Sequence, residues 1–244
     1  MKIAALSDIH GNIAALDAVL TDVAARQADQ IVNLGDICSG PLFPRETADR
    51  LMALALPTIR GNHERQLLDA DRDAMGASDR HAVDHLRPDQ IAWIAALPGA
   101  LRLSEEVALV HGTPASDLAY FLETVTPDGL RPATTAEVQE RAGPLNARLI
   151  LCGHTHVPRV VSLDDGRLIV NPGSVGLPAY ADDHPWPHKV ECGSPHARYA
   201  LVSDESGQWQ AELIAIPYDW ESAARTAQAN GRPEWARALR TGRV

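Results

Sequence analysis

Short apolar runs and helical repeats of apolar residues alternate along the first two thirds of the chain. The runs have the length of strands and occupy residues 2–7, 30–34, 58–60, 107–110 and 147–152. The segments between them place apolar residues three or four positions apart, as on one face of a helix. Helices are therefore expected at residues 13–26, 44–56, 63–75, 78–86, 89–97, 115–124 and 134–142. This alternation predicts an α/β fold.

The last third of the chain has a different pattern. Residues 159–171 read RVVSLDDGRLIVN, which is two apolar runs around a turn and predicts a β-hairpin. Residues 198–218 predict a second hairpin that turns near residues 205–207. Two amphipathic helices are expected to follow, at residues 220–229 and 233–240.

Residues 179–196, AYADDHPWPHKVECGSPH, interrupt the two hairpins. The segment is rich in proline and histidine, and we expect an ordered loop or lid. The sequence contains no internal repeat, low-complexity run or long linker. We therefore expect residues 1–244 to form a single domain that carries this insert at about 179–196.

The composition narrows the classes of function. The chain has 22 Lys and Arg against 32 Asp and Glu, a net charge of −10 at pH 7, which disfavours binding to nucleic acid or to an anionic membrane. The apolar start is too short for a signal peptide, and no apolar segment is long enough to cross a bilayer. The three scattered cysteines imply no disulfide framework. A cytoplasmic location is expected, and the oligomeric state is left open.

A polar cluster follows each predicted strand: SDIHGN, GDI, GNHE, HGTP and GHTH. Because ligands gather at the carboxyl ends of strands in open α/β sheets, we expect these clusters to meet. A single strand-end histidine is compatible with a structural role, but the joint occurrence favours a metal site. Imidazole and carboxylate ligands suit zinc, manganese, iron or cobalt, and seven of them suit two ions that share one carboxylate. The candidate ligands are Asp8, His10, Asp36, Asn62, His111, His154 and His156.

The series DIH, GD, GNHE, H and GHTH, in this order, resembles the calcineurin-like metallophosphoesterases. It is most similar to the small bacterial phosphodiesterases of that superfamily, and the resemblance extends over residues 1–176, through the segment NPGSVG. The resemblance implies two facing mixed β-sheets flanked by helices, a four-layer sandwich with a dinuclear metal site at the strand ends.

The resemblance also implies roles for individual residues. One metal would be held by Asp8, His10, Asp36 and His156, and the other by Asp36, Asn62, His111 and His154, with Asp36 as the bridge. A metal-activated hydroxide would attack the phosphorus of a small phosphodiester or phosphomonoester in line. His63 would protonate the leaving-group oxygen or stabilise its charge. The implied cofactors are two divalent ions of manganese, iron, zinc, cobalt or nickel, with manganese favoured.

The motifs RGNHE and DIHG are similar to motifs of the protein serine/threonine phosphatase branch. The GD motif departs from that branch. That branch continues its GD motif as D-x-V-D-R-G, whereas this chain reads GDICSGP and lacks the phosphate-binding arginine. Arg45 and Arg60 are expected to be surface or packing residues, with assistance in phosphate binding as the alternative. The alternatives are a hydrolase of dinucleoside polyphosphates or phosphoproteins, a non-catalytic metal-binding scaffold on the same fold and, less favoured, a metal-responsive regulator.

The insert raises a separate hypothesis. His184, His188, Cys192 and His196 are four residues apart, which on a helix would place them on one face and could form a structural zinc site. Prolines at positions 185, 187 and 195 argue against a helix. We therefore favour a flexible lid that shapes the substrate pocket.

Overall fold

The computed structural model describes residues 1–69 and 71–244. In this part of the chain the strands are β1 (Lys2–Leu6), β2 (Gln30–Asn33), β3 (Ala100–Arg102), β4 (Val107–Val110), β5 (Glu123–Thr126), β6 (Gly129–Pro132), β7 (Leu149–Leu151), β8 (Arg159–Ser162), β9 (Leu168–Asn171), β10 (Ala179–Asp182), β11 (His188–Glu191), β12 (Ala197–Ser203) and β13 (Gln210–Ile216). The helices are α1 (Ile13–Ala25), α2 (Pro44–Leu54), α3 (Asn62–Asp69), α4 (Ala77–His85), α5 (Pro88–Ala96), α6 (Thr135–Ala142), α7 (Trp220–Ala229) and α8 (Pro233–Thr241), with a short 3₁₀ helix at Arg72–Ala74.

Two mixed sheets form the centre of the protein. The first has the order β13-β12-β1-β2, in which β1 and β2 are parallel and the other pairs are antiparallel. The second has the order β3-β4-β7-β9-β8, with β4, β7 and β9 parallel. The hairpins β5-β6 and β10-β11 form two further small sheets.

The two central sheets face each other across an apolar layer. The layer takes side chains from both sheets, including Ile3, Val32, Leu109, Leu151 and Val170. Each Å² of apolar surface that this packing removes from water stabilises the fold by about 25 cal/mol. The interface between the two sheets is therefore the main core. Because both faces of β1 are covered, its sequence KIAAL is apolar nearly throughout rather than alternating.

Helices cover the outer faces of both sheets. Apolar residues of α1 to α5 pack on the outer face of the first sheet, among them Leu16, Leu51 and Ile94. Helix α6 packs Val138 and Ala142 on the second sheet. The order helix, sheet, sheet, helix confirms the predicted α/β sandwich of two facing mixed sheets. Within the described residues, no helix combines the length and apolar character needed to cross a membrane.

Helices α7 and α8 form a pair at the side of the sandwich. Trp235 and Leu239 pack there with Leu42 and Leu177, which lie in loops that follow the strands, and with Ala179 at the start of β10. The C-terminal helix pair thereby becomes part of the wall around those loops. Both helices agree closely with their predicted ranges.

Three predictions of local structure are wrong. Residues 115–124 form a loop that leads into β5, because Ser116 Oγ accepts hydrogen bonds from the backbone of Leu118 and Ala119 and competes with helix formation. Residues 58–60 make only an isolated bridge between Thr58 and Asn33. The insert at 179–196 is the hairpin β10-β11 rather than a loop.

The predicted helix at 63–75 corresponds to α3 and the short 3₁₀ helix, and its residue 70 lies outside the described residues. The sequence pattern also failed to indicate β3, β5 and β6. These strands are three or four residues long, and their apolar pattern is too short to distinguish from that of a loop.

Candidate metal centre

Five of the seven candidate ligands have a left-handed backbone. The φ angle is 55° at Asp8, 52° at His10, 55° at Asp36, 69° at His154 and 57° at His156. Residues other than glycine seldom adopt this conformation, which costs roughly 1–3 kcal/mol at each position. The five left-handed residues all follow β1, β2 or β7. The surrounding structure therefore stabilises strained turns at these three strand ends, as is common at functional sites.

Asp8, His10 and His156 form the first group of candidate ligands. One donor atom from each lies within 4.8 Å of the others, and all three residues are buried. The Nε2 atom of His156 lies 3.1 Å from Nε2 of His10 and 3.4 Å from Oδ1 of Asp8. The ends of β1 and β7 thus bring residues 146 positions apart into one cluster.

The hydrogen bonds of this group determine where its protons lie. Nδ1 of His10 donates to the carbonyl oxygen of Ser39 at 2.7 Å, and Nδ1 of His156 donates to that of Leu177 at 2.6 Å. Since a carbonyl can only accept, each neutral ring has its proton on Nδ1 and a lone pair on Nε2. Two lone pairs that face each other repel, and a cation between them removes the repulsion. The donor set therefore fits a metal ion.

Asp36, His111 and His154 form the second group, again with donor atoms within 4.8 Å of one another. The Nε2 atom of His111 lies 3.2 Å from Oδ2 of Asp36 and 3.1 Å from Oδ1 of Asn62. Nδ1 of His111 donates to the carbonyl of Leu34. The structure thus brings all seven candidate ligands together in two adjoining clusters.

His154 is oriented in the opposite sense to His156. Its Nε2 donates to the carbonyl oxygen of Leu118 at 3.0 Å, which leaves the Nδ1 lone pair for the cluster. The two imidazoles of GHTH therefore present different ring nitrogens, one to each group.

Charges and burial set the protonation of the histidines. Burial and the repulsion of His156 lower the pKa of His10 to about 4. Burial and the repulsion of His111 lower the pKa of His154 to about 4. Burial would also lower the pKa of His111, but the Asp36 carboxylate outweighs it and raises this pKa to about 10. His10 and His154 are thus neutral at pH 7, whereas His111 would release a proton to a metal.

His63 stands beside the two groups and is not part of either. Its Nδ1 lies 2.8 Å from Oδ1 of Asp79, a nearly buried residue of α4. Burial lowers the pKa of His63, but Asp36 and the bond to Asp79 outweigh it and raise the pKa to about 9. The side chain is therefore protonated at neutral pH, with Nδ1 held by Asp79. Asp79 was not predicted, because it lies in a helix that carries none of the motifs.

Glu64 fixes the loops that present Asp36 and Asn62. Its carboxylate is fully buried and accepts hydrogen bonds from the backbone N–H groups of Asp36, Ile37 and Gly61, at 2.7 to 2.9 Å. Glu64 lies within the motif GNHE, from which no role was predicted for it. Its hydrogen bonds to three amides make it a positioning residue for the second group.

The segment NPGSVG supports the ends of β1 and β7. Asn171 Nδ2 donates to the carbonyl of Gly153 at 2.7 Å and to Thr155 Oγ1 at 3.0 Å, which holds the GHTH turn. Ser174 Oγ donates to the carbonyl of Asp8 at 2.7 Å. This segment thus connects the turns that carry the first group.

Two glycines are required by the closeness of the loops. A Cβ atom at position 61 would overlap with Oδ1 of Asp36, and one at position 153 would overlap with Oγ of Ser7. At these points the backbone of one loop lies directly against the side chain of another.

A cavity of about 770 Å³ opens over both groups. Its lining includes His63, Gln66, Ser78 and Trp235, and the edge of the Trp235 ring lies against His10 with ring centroids 5.8 Å apart. The loop before β5 and the hairpin β10-β11 also line it, and their Tyr120 and Tyr180 rings lie against His154 and His156. None of these aromatic residues was predicted, since they lie far from the motifs. Arg45 and Arg60 are not among the described residues that line the cavity.

The structure does not bring the histidines and cysteine of the insert together. His184 is almost fully exposed, and His188 is buried and bonded to Tyr120. Cys192 Sγ donates to the carbonyl of His156, and His196 contacts Ser194. Among the described residues, the groups suited to a metal are the two at the strand ends. A hairpin places residues four apart on a strand or across a turn, not on a helix face, so the zinc hypothesis is not supported.

Comparison with known proteins adds to this geometry. An uncharacterized protein of Methanocaldococcus jannaschii is 25% identical over 257 residues, which cover 96% of this chain and 94% of that protein. A hypothetical protein from Pyrococcus horikoshii OT3 has a solved structure that superposes with a TM-score of 0.78 at 21% identity, over 99% of this chain and 98% of that one. A metallophosphoesterase from Sphaerobacter thermophilus superposes with a TM-score of 0.75 at 23% identity, over 98% of each chain. These two likenesses show the fold.

The family is shown by the sequence itself. The profile of the calcineurin-like phosphoesterase superfamily domain matches residues 1–185 of the 244. The matched part includes both groups of candidate ligands and His63, whereas β11 to β13 and the pair α7-α8 follow it. The two structural superpositions extend the same fold over nearly the whole chain. The chain belongs to the calcineurin-like phosphoesterase superfamily.

Proposed function

We propose that this protein is a dinuclear metal-dependent phosphodiesterase that acts on a small phosphate ester. The observation that carries the proposal is the presence, at one cavity, of two adjoining ligand groups and of His63, which lies outside both with its Nδ1 bonded to Asp79. One ion would be held by Asp8, His10 and His156, and the other by Asn62, His111 and His154. Asp36, of the second group, would be shared by both ions, in agreement with the influence of its charge on both His10 and His111.

The donors support divalent transition metals. The nitrogen and oxygen donors suit manganese, iron, zinc, cobalt or nickel, and we favour manganese. Two such ions would supply activated water for in-line attack on phosphorus and would neutralise the phosphoryl oxygens. The backbone carbonyls that fix the four histidines keep the ligand lone pairs aimed at the ions before they bind.

His63 acts on the leaving group. Asp79 holds Nδ1, so the N–H of Nε2 is the group left to face a substrate in the cavity. A protonated imidazole there donates a proton to the departing oxygen or stabilises its charge. Asp79 stabilises the protonated form of His63 separately from Asp36, the proposed bridging residue.

A diester is a better candidate than a phosphoprotein. The cavity is enclosed by the hairpin β10-β11 and by α8, and the arginine that grips phosphate in the protein phosphatase motif is absent from GDICSGP. We further propose that residues 1–244 act as one cytoplasmic domain, with the hairpin at 179–196 as part of the substrate pocket. Helices α7 and α8 share an apolar cluster with Leu42 and Leu177, two residues of the loops near the site. This packing supports a single domain.

The test is hydrolysis of bis-4-nitrophenyl phosphate by metal-stripped protein, with and without added manganese, beside 4-nitrophenyl phosphate. Manganese-dependent cleavage of the diester is expected, with the monoester slower. Cleavage of the monoester alone would indicate a phosphatase. Failure to cleave either ester, with two manganese ions bound per chain, would refute the proposal and favour the scaffold. Asp36→Asn is the matched inactive control.

A further inference from the structure

An aromatic and apolar surface lines the part of the cavity formed by the loop before β5, by β5 and by the hairpin β10-β11. We call it the tyrosine wall, and it consists of Leu118, Tyr120, Val125, Tyr180 and Pro185. Tyr120 lies edge-on to the ring of His154 and Tyr180 edge-on to that of His156, with ring centroids 5.2 Å and 4.8 Å apart. The wall therefore begins directly at the candidate metal ligands and extends outward to the mouth of the cavity.

The hydroxyl groups of the wall are occupied by one another. Nδ1 of His188 donates to the carbonyl of Trp186, so its Nε2 accepts from the Tyr120 hydroxyl at 2.9 Å. The Tyr120 oxygen then accepts from the Tyr180 hydroxyl at 2.7 Å. Because this chain consumes the polar ends of both tyrosines, the wall presents ring surface to the cavity rather than hydrogen-bond donors. It also ties the hairpin β10-β11 to the loop before β5.

Apolar exposure continues at the rim of the wall. Leu118, which lines the cavity, is 52% exposed, and Trp186, which follows the lining residue Pro185 in the turn of the hairpin, is 49% exposed. Single large apolar side chains with this exposure are normal, but at Leu118 the exposed surface continues the apolar lining of the cavity.

The charges near the wall disfavour a second phosphate. Among the described residues that line the cavity, Arg141 is the one lysine or arginine. Its guanidinium donates to the carbonyls of Phe121 and Glu123 and to Oγ1 of Thr124, so it is committed to holding the loop. The carboxylate of Asp182 also lines the cavity, on the hairpin β10-β11. A polyphosphate chain would meet that carboxylate there and, among the described lining residues, no arginine or lysine that is free to pair with it.

We propose that the tyrosine wall binds the ester group that remains on phosphorus, and that it selects an uncharged aromatic or apolar group over one with a second phosphate. The inference rests on the proposed phosphodiesterase function, in which the leaving group faces His63, held by Asp79, and the retained group lies against the rings beside His154 and His156. Tyr180 and Val125 are then specificity-determining residues.

Three diesters with one leaving group test the selection. Methyl, phenyl and 2-phosphoethyl esters of 4-nitrophenyl phosphate all release nitrophenolate, so that differences in kcat/KM report the retained group. With the manganese-loaded protein we expect the phenyl ester to exceed the methyl ester by about tenfold or more, and the phosphoethyl ester to be the poorest. Val125→Lys should lower the phenyl preference and raise kcat/KM for the phosphoethyl ester. Tyr180→Ala should bring the phenyl-to-methyl ratio towards one.

Tyr199→Phe is the matched control, because Tyr199 is a buried tyrosine of β12 that bonds to Asp22, away from the cavity. It should retain the wild-type ratios. Calorimetric binding of phenylphosphonate and methylphosphonate to the manganese-loaded protein provides a readout without turnover. Equal kcat/KM for phenyl and methyl esters, or a preference for the phosphoethyl ester, would overturn the inference and leave the phosphodiesterase intact. If no ester is cleaved but phenylphosphonate binds about tenfold more tightly than methylphosphonate, the selection by the tyrosine wall is supported and the phosphodiesterase activity is refuted.

Discussion

Asp79 holds His63 from an element that carries none of the recognised motifs. Nδ1 of His63 lies 2.8 Å from Oδ1 of Asp79, and the carboxylate is close to fully buried in α4. A buried carboxylate in this position fixes both the tautomer and the orientation of the imidazole. The pair is therefore suited to keep the proposed proton donor aimed at the cavity.

Asp79→Asn should lower kcat by about tenfold or more, because the amide retains the shape but loses the charge that stabilises the imidazolium. KM and metal content should stay near the wild-type values. In a His63→Ala background the same change should have almost no further effect, since Asp79 acts through His63. Asp84→Asn, on the same helix but paired with Arg72, is the control. Additive effects of the two substitutions would show that Asp79 is merely structural.

His63→Ala should lower kcat by roughly a hundredfold or more, in the range of a lost general acid. Both metals should remain, because His63 belongs to neither ligand group. Turnover of bis-4-nitrophenyl phosphate and metal content by mass spectrometry are measured on the same preparation. If the variant instead loses a metal, His63 is a ligand and the proposed division of roles is wrong.

Asp36→Asn should abolish activity and weaken both metals, since it removes the bridging charge. Asn62→Ala should weaken one metal more than the other, because Asn62 faces the second group through His111. Titration of metal-stripped protein with manganese, followed by calorimetry, separates the two sites. Full activity of Asp36→Asn would contradict the bridge, and equal weakening of both sites in Asn62→Ala would contradict its assignment to one of them.

The local motifs predicted which residues meet at the strand ends, because parallel strands bring their following loops to one edge. Asp79, Tyr120 and Trp235 could not be predicted in this way. Each is brought to the cavity, or to His63, by the packing of a helix or loop, and this packing leaves no short sequence motif. The hairpin in the segment 179–196 was missed for a related reason. Its strands are four residues long, the turn between them contains Pro185 and Pro187, and the pairing of Ala179–Asp182 with His188–Glu191 defines them.

Gly61→Ala should disturb the site without a change in any ligand. The added Cβ would overlap with Oδ1 of Asp36, and the backbone N–H of Gly61 is held by Glu64, so neither loop can move freely. We expect weaker manganese binding by about tenfold or more and lower activity. Gly76→Ala is the control, because its Cβ would meet nothing within 4 Å. Wild-type manganese affinity in Gly61→Ala would show that the loops separate more easily than the structure indicates.

Glu123 should make the protein less stable as the pH rises. The residue is 3% exposed, and burial raises its pKa to about 7 against the opposing effects of Thr155 and Arg159. The folded state then holds a proton that the unfolded chain loses from about pH 4.5 upward. The stabilisation that this proton contributes is therefore complete below about pH 4.5 and is lost as the pH rises through about 7. The free energy of unfolding should fall by about 2–3 kcal/mol between pH 5 and pH 8 from this group. Urea unfolding of metal-stripped protein measures it: Glu123→Gln should remove this part of the slope, whereas Glu105→Gln, at an exposed position, should keep it. Equal slopes for wild type and Glu123→Gln would mean that the carboxylate is ionised in the folded protein at pH 5, stabilised there by Arg159 at 3.9 Å.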